Sequence, residues 1–168
     1  MSKTIRYKSQ KQEKSVAKQM DGKTIIASGS LWFADSDVRS DDYLIECKTT
    51  SKDSFSVTAK IWEKIEKEAV RDRLRIPLLI VDLRDTLRYV VFRPQDFTLE
   101  NLEKEELHNT DVPKSFLLSV RDLGYDVNTF DYTERITRVV KGNKISVLAV
   151  MKWCDFAEML VRYKNENA

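Results

Sequence analysis

The run LLIVDL at residues 78–83 constrains the fold of this chain more than any other stretch. Apolar residues occupy both faces of a strand here, as expected at the centre of a sheet. RYVVFR at 88–93 follows after a short turn and is expected to be the neighbouring strand. Helical periodicity over 55–75 predicts an amphipathic helix before the central strand, with Pro77 beyond its end. This order of elements predicts an α/β domain with a mixed central β-sheet flanked by helices.

Weaker patterns predict the remaining elements. Ser9 and Gln12 stand at capping-box positions, so a helix is expected from Ser9, with Gly22 as its stop. Pro94 is expected to introduce a helix that continues over 96–107. The stretch 115–126 fits helix or strand. Strands are expected at 24–27, 43–49, 133–140 and 145–151, and an amphipathic helix at 153–163.

Length and composition describe one globular unit. The chain has 168 residues, of which 42% are hydrophobic and 33% are charged, so a single domain spanning 1–168 is expected. No apolar run approaches the ~18 residues that a membrane span needs, and the start MSKTIRYKSQ lacks the apolar core of a signal peptide. A cytoplasmic protein is therefore expected.

The cysteine and histidine content excludes two kinds of site. The chain has two cysteines, Cys47 and Cys154, and one histidine, His108. A four-ligand Cys/His zinc site and a histidine-based catalytic triad therefore have too few residues. Any chemistry must come mainly from carboxylates, lysines and hydroxyls.

Charge is unevenly distributed along the chain. The net charge is only +2, but residues 1–23 carry seven Lys or Arg against Glu13 and Asp21. Residues 96–111 carry six acids against Lys104 alone. The asymmetry suits a protein with one side facing a polyanion, and it fits equally well with solvated helix faces and tails.

The segment SDVRSDDYLIECKTT at 36–50 reads as a β-hairpin with its charges on one face. Alternation along the strand puts Leu44, Glu46 and Lys48 on one side and the apolar residues on the other, core side. A two-residue turn at 41–42 pairs Val38 with Ile45, and the same count sets Asp37 opposite Glu46.

Two carboxylates facing each other across a strand pair are destabilising, because their Cβ atoms lie only ~5 Å apart. A divalent metal between Asp37 and Glu46 would relieve the repulsion, and Mg²⁺ accepts one or two carboxylates plus waters and phosphate oxygens. Lys48 would then lie beside the metal-bound water or a phosphate. A longer turn would make the pair diagonal, and an exposed same-face pair of Glu46 and Lys48 is the alternative without function.

With these residues the sequence resembles the PD-(D/E)XK nuclease superfamily, and within it the archaeal-type Holliday junction resolvases, including phage-encoded members. The matching elements are Glu13 in an N-terminal helix, the loop SGS at 28–30, Asp37 in SDV and Glu46-Cys47-Lys48 in LIECKTT. They cover about the first half of the chain. Ser36 stands where the motif has proline, which makes Asp35 a rival of Asp37 for the metal.

The resemblance implies a role for each matching residue. Asp37, Glu46 and the backbone carbonyl of Cys47 would hold Mg²⁺, for which Mn²⁺ would substitute, and Glu13 would bind the metal directly or through water. Lys48 would orient or activate the attacking water and stabilise charge on the phosphate. The substrate-binding residues would be Ser30, Lys11, Lys14, Thr50 and Lys52.

The function implied is a Mg²⁺-dependent endodeoxyribonuclease that resolves Holliday junctions in DNA recombination and repair. Residues 1–95 would form the catalytic core, with 96–168 as a family-specific part packed on it. Branched DNA would be the partner, and a homodimer would cut both strands symmetrically. The alternatives are a restriction-like or repair endonuclease of the same superfamily and a non-catalytic DNA-binding protein with its fold.

Overall fold

The computed structural model describes residues 3–25, 36–97, 114–120, 135–141 and 144–166. Within these ranges the chain forms three α-helices, one 3₁₀ turn and nine strands. The helices are α1 (Lys3–Gln19), α2 (Ala59–Arg71) and α3 (Trp153–Glu166), and the 3₁₀ turn covers Pro94–Phe97. The strands are β1 (Lys23–Thr24), β2 (Val38–Arg39), β3 (Tyr43–Thr49), β4 (Ser54–Thr58), β5 (Ile76–Leu83), β6 (Leu87–Phe92), β7 (Ser115–Ser119), β8 (Arg135–Lys141) and β9 (Lys144–Lys152).

Among the described strands, seven form one sheet in the order β1-β2-β3-β5-β6-β9-β8. The pair β3 and β5 is parallel and every other pair in this sheet is antiparallel, so the sheet is mixed. The parallel pair requires a crossover, which β4 and α2 provide. Strand β4 pairs with β7 in a separate two-stranded sheet.

Helices cover both faces of the seven-stranded sheet. One core cluster joins α1 and α3 to side chains that include Leu78 and Ile80 of β5. The second cluster joins α2, β4 and β7 to Leu79, Val81 and Leu83 of the same strand. All five of these side chains are fully buried, which confirms the central strand expected at 78–83. The predicted fold class, a mixed central sheet flanked by helices, is also confirmed.

The hairpin register agrees with the count made across the turn. Val38 pairs with Ile45 and Arg39 with Leu44, and the turn is closed by the Ser40 N–H, which donates to the carbonyl of Tyr43 at 3.0 Å. The face of β3 that carries Glu46 was expected to be half-solvated, but α2 covers it, so both faces of this strand are covered. Glu46 is therefore only 5% exposed, and it lies in a protein interior rather than on a half-solvated strand.

Two helix boundaries predicted from the sequence are wrong. The helix expected over 55–75 spans only Ala59–Arg71, because residues 54–58 pair with β7 as a strand. Thr58 caps α2 by accepting a hydrogen bond from the Ile61 N–H. The first helix begins at Lys3 rather than at Ser9. Its early turns are attached to the sheet by an ion pair between Lys8 and Asp85.

The other local predictions fall partly outside the described residues. Gly22 follows α1 as expected, and a Cβ there would lie 2.7 Å from the carbonyl oxygen of Arg39, so only glycine fits. The ambiguous stretch at 115–126 forms a strand over Ser115–Ser119. Pro94 opens a 3₁₀ turn, and residues 98–113 are not described. No helix among the described residues is long and apolar enough to cross a membrane.

Candidate active site

Four residues singled out in the sequence come together at the carboxyl end of β3. Glu13 comes from α1, Asp37 directly precedes β2, and Glu46 and Lys48 lie on β3. Their charges act on one another: Glu46, Lys48 and Glu13 each shift the pKa of Asp37. The hairpin register brings Asp37 to β3, and the packing of α1 on the sheet brings Glu13.

Asp37 extends the hydrogen bonding between β2 and β3 beyond the end of β2, through both its backbone and its side chain. Its N–H donates to the carbonyl of Ile45 at 3.1 Å, and its Oδ2 accepts from the N–H of Cys47 at 2.7 Å. Burial, followed by the negative charge of Glu46, raises the pKa of Asp37 from 3.8 to about 6. The hydrogen bond from Cys47 opposes this rise but does not cancel it.

Cys47 contributes its backbone to the site, whereas its thiol lies in the core. The thiol is 4% exposed beneath α1 and α3. Burial raises its pKa well above 9.0, so it stays protonated. The N–H and C=O of one strand residue point to the same side. Because the Cys47 N–H reaches Asp37, the Cys47 carbonyl also points past the end of β2, toward the Asp37 carboxylate.

Glu46 and Lys48 form a partly buried ion pair. Lys48 Nζ lies 2.5 Å from Glu46 Oε1. Burial alone would lower the pKa of Lys48, but the attraction and hydrogen bond of Glu46 outweigh it, so the pKa is raised. Lys48 is therefore a cation near neutral pH, suited to charge stabilisation. Glu46 Oε2 is buried and has no hydrogen-bond partner among the described residues.

Glu13 is the more exposed carboxylate of the site. Its pKa is raised, chiefly by burial, while the charge of Lys48 lowers it and that of Glu46 raises it. Glu13 therefore lies within electrostatic range of the pair on β3. Glu13 is only partly buried, so a bound ligand could reach it.

The donor set fits a hard divalent cation. A buried carboxylate oxygen without a partner costs free energy, and the mutual repulsion of Asp37 and Glu46 adds to that cost. In the part of the chain that the structure describes, no three His, Cys, Asp or Glu side chains converge into a ready-made metal cluster. Two carboxylates, one backbone carbonyl and waters make a ligand set that Mg²⁺ accepts.

Sequence reasoning missed Gln12, which lies directly beneath the site. Gln12 is 3% exposed, and its Nε2 donates to the carbonyl of Lys48 at 2.9 Å. It thereby joins α1 to the carboxyl end of β3, one residue before Glu13. The spacing of residues in the sequence could have identified Gln12, because it lies on the same face of the helix as the buried Val16 and Met20. A polar residue on a buried stripe needs internal partners.

A second missed feature is the buried ion pair between Asp82 on β5 and Arg88 on β6. Arg88 donates to both carboxylate oxygens of Asp82, at 2.8 and 2.9 Å. It also donates to Ser15 and Gln19 on α1, at 3.2 and 2.7 Å. These bonds fix the orientation of the helix that supplies Glu13. In the sequence, Asp82 and Arg88 are separated by the turn, so only strand pairing shows that they meet.

The predicted substrate-binding residues are found in several places. Lys11 and Lys14 are exposed on α1. Thr50 follows β3, and its N–H donates to the carbonyl of Asp82 at 2.9 Å. Lys52 is exposed two residues further on, with its N–H bonded to the Thr50 hydroxyl. Ser30 and the rival metal ligand Asp35 lie outside the described residues.

Comparison with solved structures finds a similar fold in a Holliday junction resolvase, Hjc, from the archaeal hyperthermophile Archaeoglobus fulgidus. The TM-score is 0.43 and the sequence identity is 15%, over 68% of this chain and 85% of that chain. No family model matches the sequence, and no curated protein matches it.

Proposed function

We propose that this chain is a Mg²⁺-dependent, structure-selective endodeoxyribonuclease that resolves Holliday junctions. The observation that carries the proposal is the grouping of the buried carboxylate of Glu46 and the half-buried carboxylate of Asp37 with a protonated Lys48 at one strand end. Phosphodiester hydrolysis needs neutralisation of charge on the phosphate oxygens and a nucleophilic water. This site has the residues for both without a histidine.

In this proposal Mg²⁺ is held by Asp37, Glu46 and the Cys47 carbonyl, with Glu13 as a direct or water-mediated ligand. When bound, the ion supplies Lewis-acid stabilisation of the phosphate and lowers the pKa of a water. Lys48 stabilises negative charge on the phosphate. Its raised pKa makes it a positive electrostatic group rather than a general base.

The supporting residues act through position. Gln12 and the Arg88–Asp82 pair hold α1 on the sheet, which sets where Glu13 stands. Thr50 and Lys52 follow β3 at the end where the site lies and are proposed as contacts to the DNA backbone. The four catalytic residues all fall within 1–95, and we assign 96–168 to the same domain because β8 and β9 complete the central sheet.

The test is a cleavage assay on purified full-length chain with labelled four-way junction, flap and plain duplex. With Mg²⁺ or Mn²⁺, we expect paired nicks in opposite strands of the junction. Glu46→Gln and Lys48→Ala should each reduce cutting by roughly 10²- to 10³-fold, because Glu46 is a proposed metal ligand and Lys48 stabilises charge at the reacting phosphate. Lys67→Ala is the matched control, since this exposed lysine lies on α2.

The outcomes separate the competing functions. Equal cutting of duplex and junction would replace the resolvase by a restriction-like or repair endonuclease. Junction binding without cutting by the wild type in either metal, and without stabilisation by Mg²⁺, would identify a non-catalytic DNA-binding protein. Paired nicks also require a two-fold assembly, so light scattering should give the mass of a homodimer.

A further inference from the structure

A hydrogen bond with little access to water joins α2 to the residue that precedes Asp37. The hydroxyl of Ser36 donates to Oε2 of Glu68 at 2.5 Å. Ser36 is 5% exposed and the side chain of Glu68 is 14% exposed, so water competes little for this bond. A hydrogen bond to a carboxylate is also roughly twice as strong as one between neutral groups. The contact therefore attaches the start of the hairpin firmly to α2.

The strand that brings Asp37 into the site is short. β2 covers only Val38–Arg39, and Asp37 lies directly before its first residue. The ends of strands open more readily than their centres, because fewer hydrogen bonds and fewer packed side chains hold them. A fixed position for the Asp37 carboxylate therefore requires contacts beyond the two residues of β2.

Contacts from three directions hold the backbone around Asp37. The N–H of Ile25, next to β1, donates to the carbonyl of Asp37 at 2.9 Å, and the N–H of Asp37 donates to Ile45 on β3 at 3.1 Å. These two bonds lie in the sheet, so they resist separation of the strands. The bond from Ser36 to Glu68 comes from the helix that covers the sheet. It resists movement of the same segment away from that helix.

α2 also contacts the other end of β2, but more weakly. Arg39 Nε lies 2.5 Å from Oδ2 of Asp72, which follows Glu68 by about one helical turn. The side chain of Arg39 is 44% exposed, and an ion pair in that setting contributes little. The buried bond of Ser36 is therefore the main attachment of this strand to α2, and it lies at the end that carries Asp37.

We propose that Ser36 and Glu68 are positioning residues of the candidate site, whose hydrogen bond keeps the Asp37 carboxylate beside Glu46 for a divalent cation. The cation itself rests on the proposed nuclease function. Proline, which the PD-(D/E)XK motif has in place of Ser36, would restrict the backbone here through its ring. Serine has no such restriction, and its bond to Glu68 supplies the constraint instead.

The first experiment follows hydrogen exchange of the Cys47 amide by NMR in EDTA, so that no metal takes part. This N–H donates to Asp37 Oδ2 at 2.7 Å, so its protection reports whether the carboxylate stays in place. Ser36→Ala should speed its exchange by roughly 10- to 100-fold, the factor by which a hydrogen bond to a charged group shifts an equilibrium. Amides of β5 in the same spectra give the change that lower global stability causes alone.

Ser40→Ala is the matched control. Ser40 is 8% exposed on the same hairpin, and its hydroxyl accepts a hydrogen bond from the N–H of Tyr43 at 3.2 Å. Loss of this bond removes a buried serine contact of the same kind at the other side of the hairpin. The variant should be less stable than the wild type, but exchange of Cys47 relative to β5 should stay unchanged.

Variants of Glu68 test the pairing. Glu68→Ala should speed Cys47 exchange as much as Ser36→Ala does, and the double variant should add nothing, because both changes remove the same bond. Glu68→Gln keeps an oxygen that can accept the Ser36 hydroxyl, so it should restore slow exchange. Lys64→Ala removes the ion pair that Glu68 also makes, at 3.6 Å, and should have no effect.

The second experiment measures the Mg²⁺ dissociation constant from the rise in stability with Mg²⁺ concentration. Loss of a residue that orients a metal ligand typically weakens metal binding by about 10- to 100-fold. Ser36→Ala should give about 10-fold, the low end, because Ser36 acts on Asp37 through the backbone. Ser40→Ala should leave the constant unchanged. A serine with a purely structural role would lower the stability of the metal-free protein and leave the constant as it is.

The outcomes separate this proposal from the nuclease proposal. Cys47 exchange that is no faster in Ser36→Ala than in Ser40→Ala, relative to β5, would overturn the positioning role. So would an unchanged Mg²⁺ dissociation constant in a wild type that binds Mg²⁺ and cuts junctions, and the nuclease proposal would then stand alone. If Mg²⁺ does not stabilise the wild type, the nuclease proposal fails, and the exchange rates still decide whether Ser36 holds Asp37. Should Ser36→Ala not fold, Glu68→Ala replaces it in both measurements.

Discussion

The half-buried carboxylate of Asp37 predicts an unusual pH dependence for the metal-free protein. Its pKa rises from 3.8 to about 6 on folding. Between these values the folded state holds a proton that the unfolded state has lost, so the free energy of unfolding falls as pH rises through that window. The full effect is roughly 3 kcal/mol, at ~1.36 kcal/mol for each factor of ten in proton affinity.

Asp37→Asn removes this ionisation while keeping an oxygen that can accept the hydrogen bond of the Cys47 N–H. In EDTA at pH 4.5, inside that window, the variant should be more stable than the wild type by only about 1 kcal/mol. By pH 7.5 the variant should be more stable by about 2–3 kcal/mol. Urea denaturation followed by tryptophan fluorescence, in steps from pH 4.5 to 8, measures the difference.

Asp41→Asn is the control, because Asp41 is an exposed residue of the hairpin turn. Its effect should stay within ~0.5 kcal/mol across the whole pH range. The reasoning is refuted if the Asp37→Asn difference is flat with pH, or if the variant is the less stable protein at pH 7.5. Either result would mean that the Asp37 carboxylate is solvated or neutralised in the folded chain.

Three further outcomes are expected. Mg²⁺ at a hundred times its dissociation constant should raise the free energy of unfolding of the wild type by ~2.7 kcal/mol at pH 7.5. This stabilisation should vanish in Glu46→Gln. If Mg²⁺ stabilises that variant as well, the ion binds elsewhere. Arg88→Met leaves the 7% exposed Asp82 carboxylate without its ion-pair partner, so denaturation should show a loss of about 3–5 kcal/mol. Adding Asp82→Leu should recover most of that loss. Phe156→Ala should lower the free energy of unfolding by ~3–5 kcal/mol in the same denaturation experiment, because this fully buried ring packs with its centre 5.2 Å from that of Phe92. A decrease below ~1 kcal/mol would contradict the packing.

Strands whose apolar side chains follow a short repeating pattern could be predicted from the sequence. Alternation in 43–49 and the double-sided apolar run at 78–83 predicted β3 and β5, because side chains alternate strictly along a strand. The register of the hairpin followed from the length of its turn, and the structure confirms the pairing of Val38 with Ile45. The helix over 55–75 was overpredicted, since apolar spacing does not show that residues 54–58 would find a partner strand in β7.

The sequence by itself determined which reactive groups are present: Glu46 and Lys48 at fixed spacing on one strand, Asp37 ahead of the hairpin turn, and too few histidines and cysteines for a zinc site. The tertiary structure alone decided how those groups behave. Covering both sheet faces raises the pKa of Asp37 and leaves Glu46 Oε2 without a hydrogen-bond partner in the described part of the chain. Packing of α1 on the sheet adds Glu13, Gln12 and the bonds to Arg88. Desolvation and long-range contacts depend on elements far apart in the chain, and no local pattern encodes them.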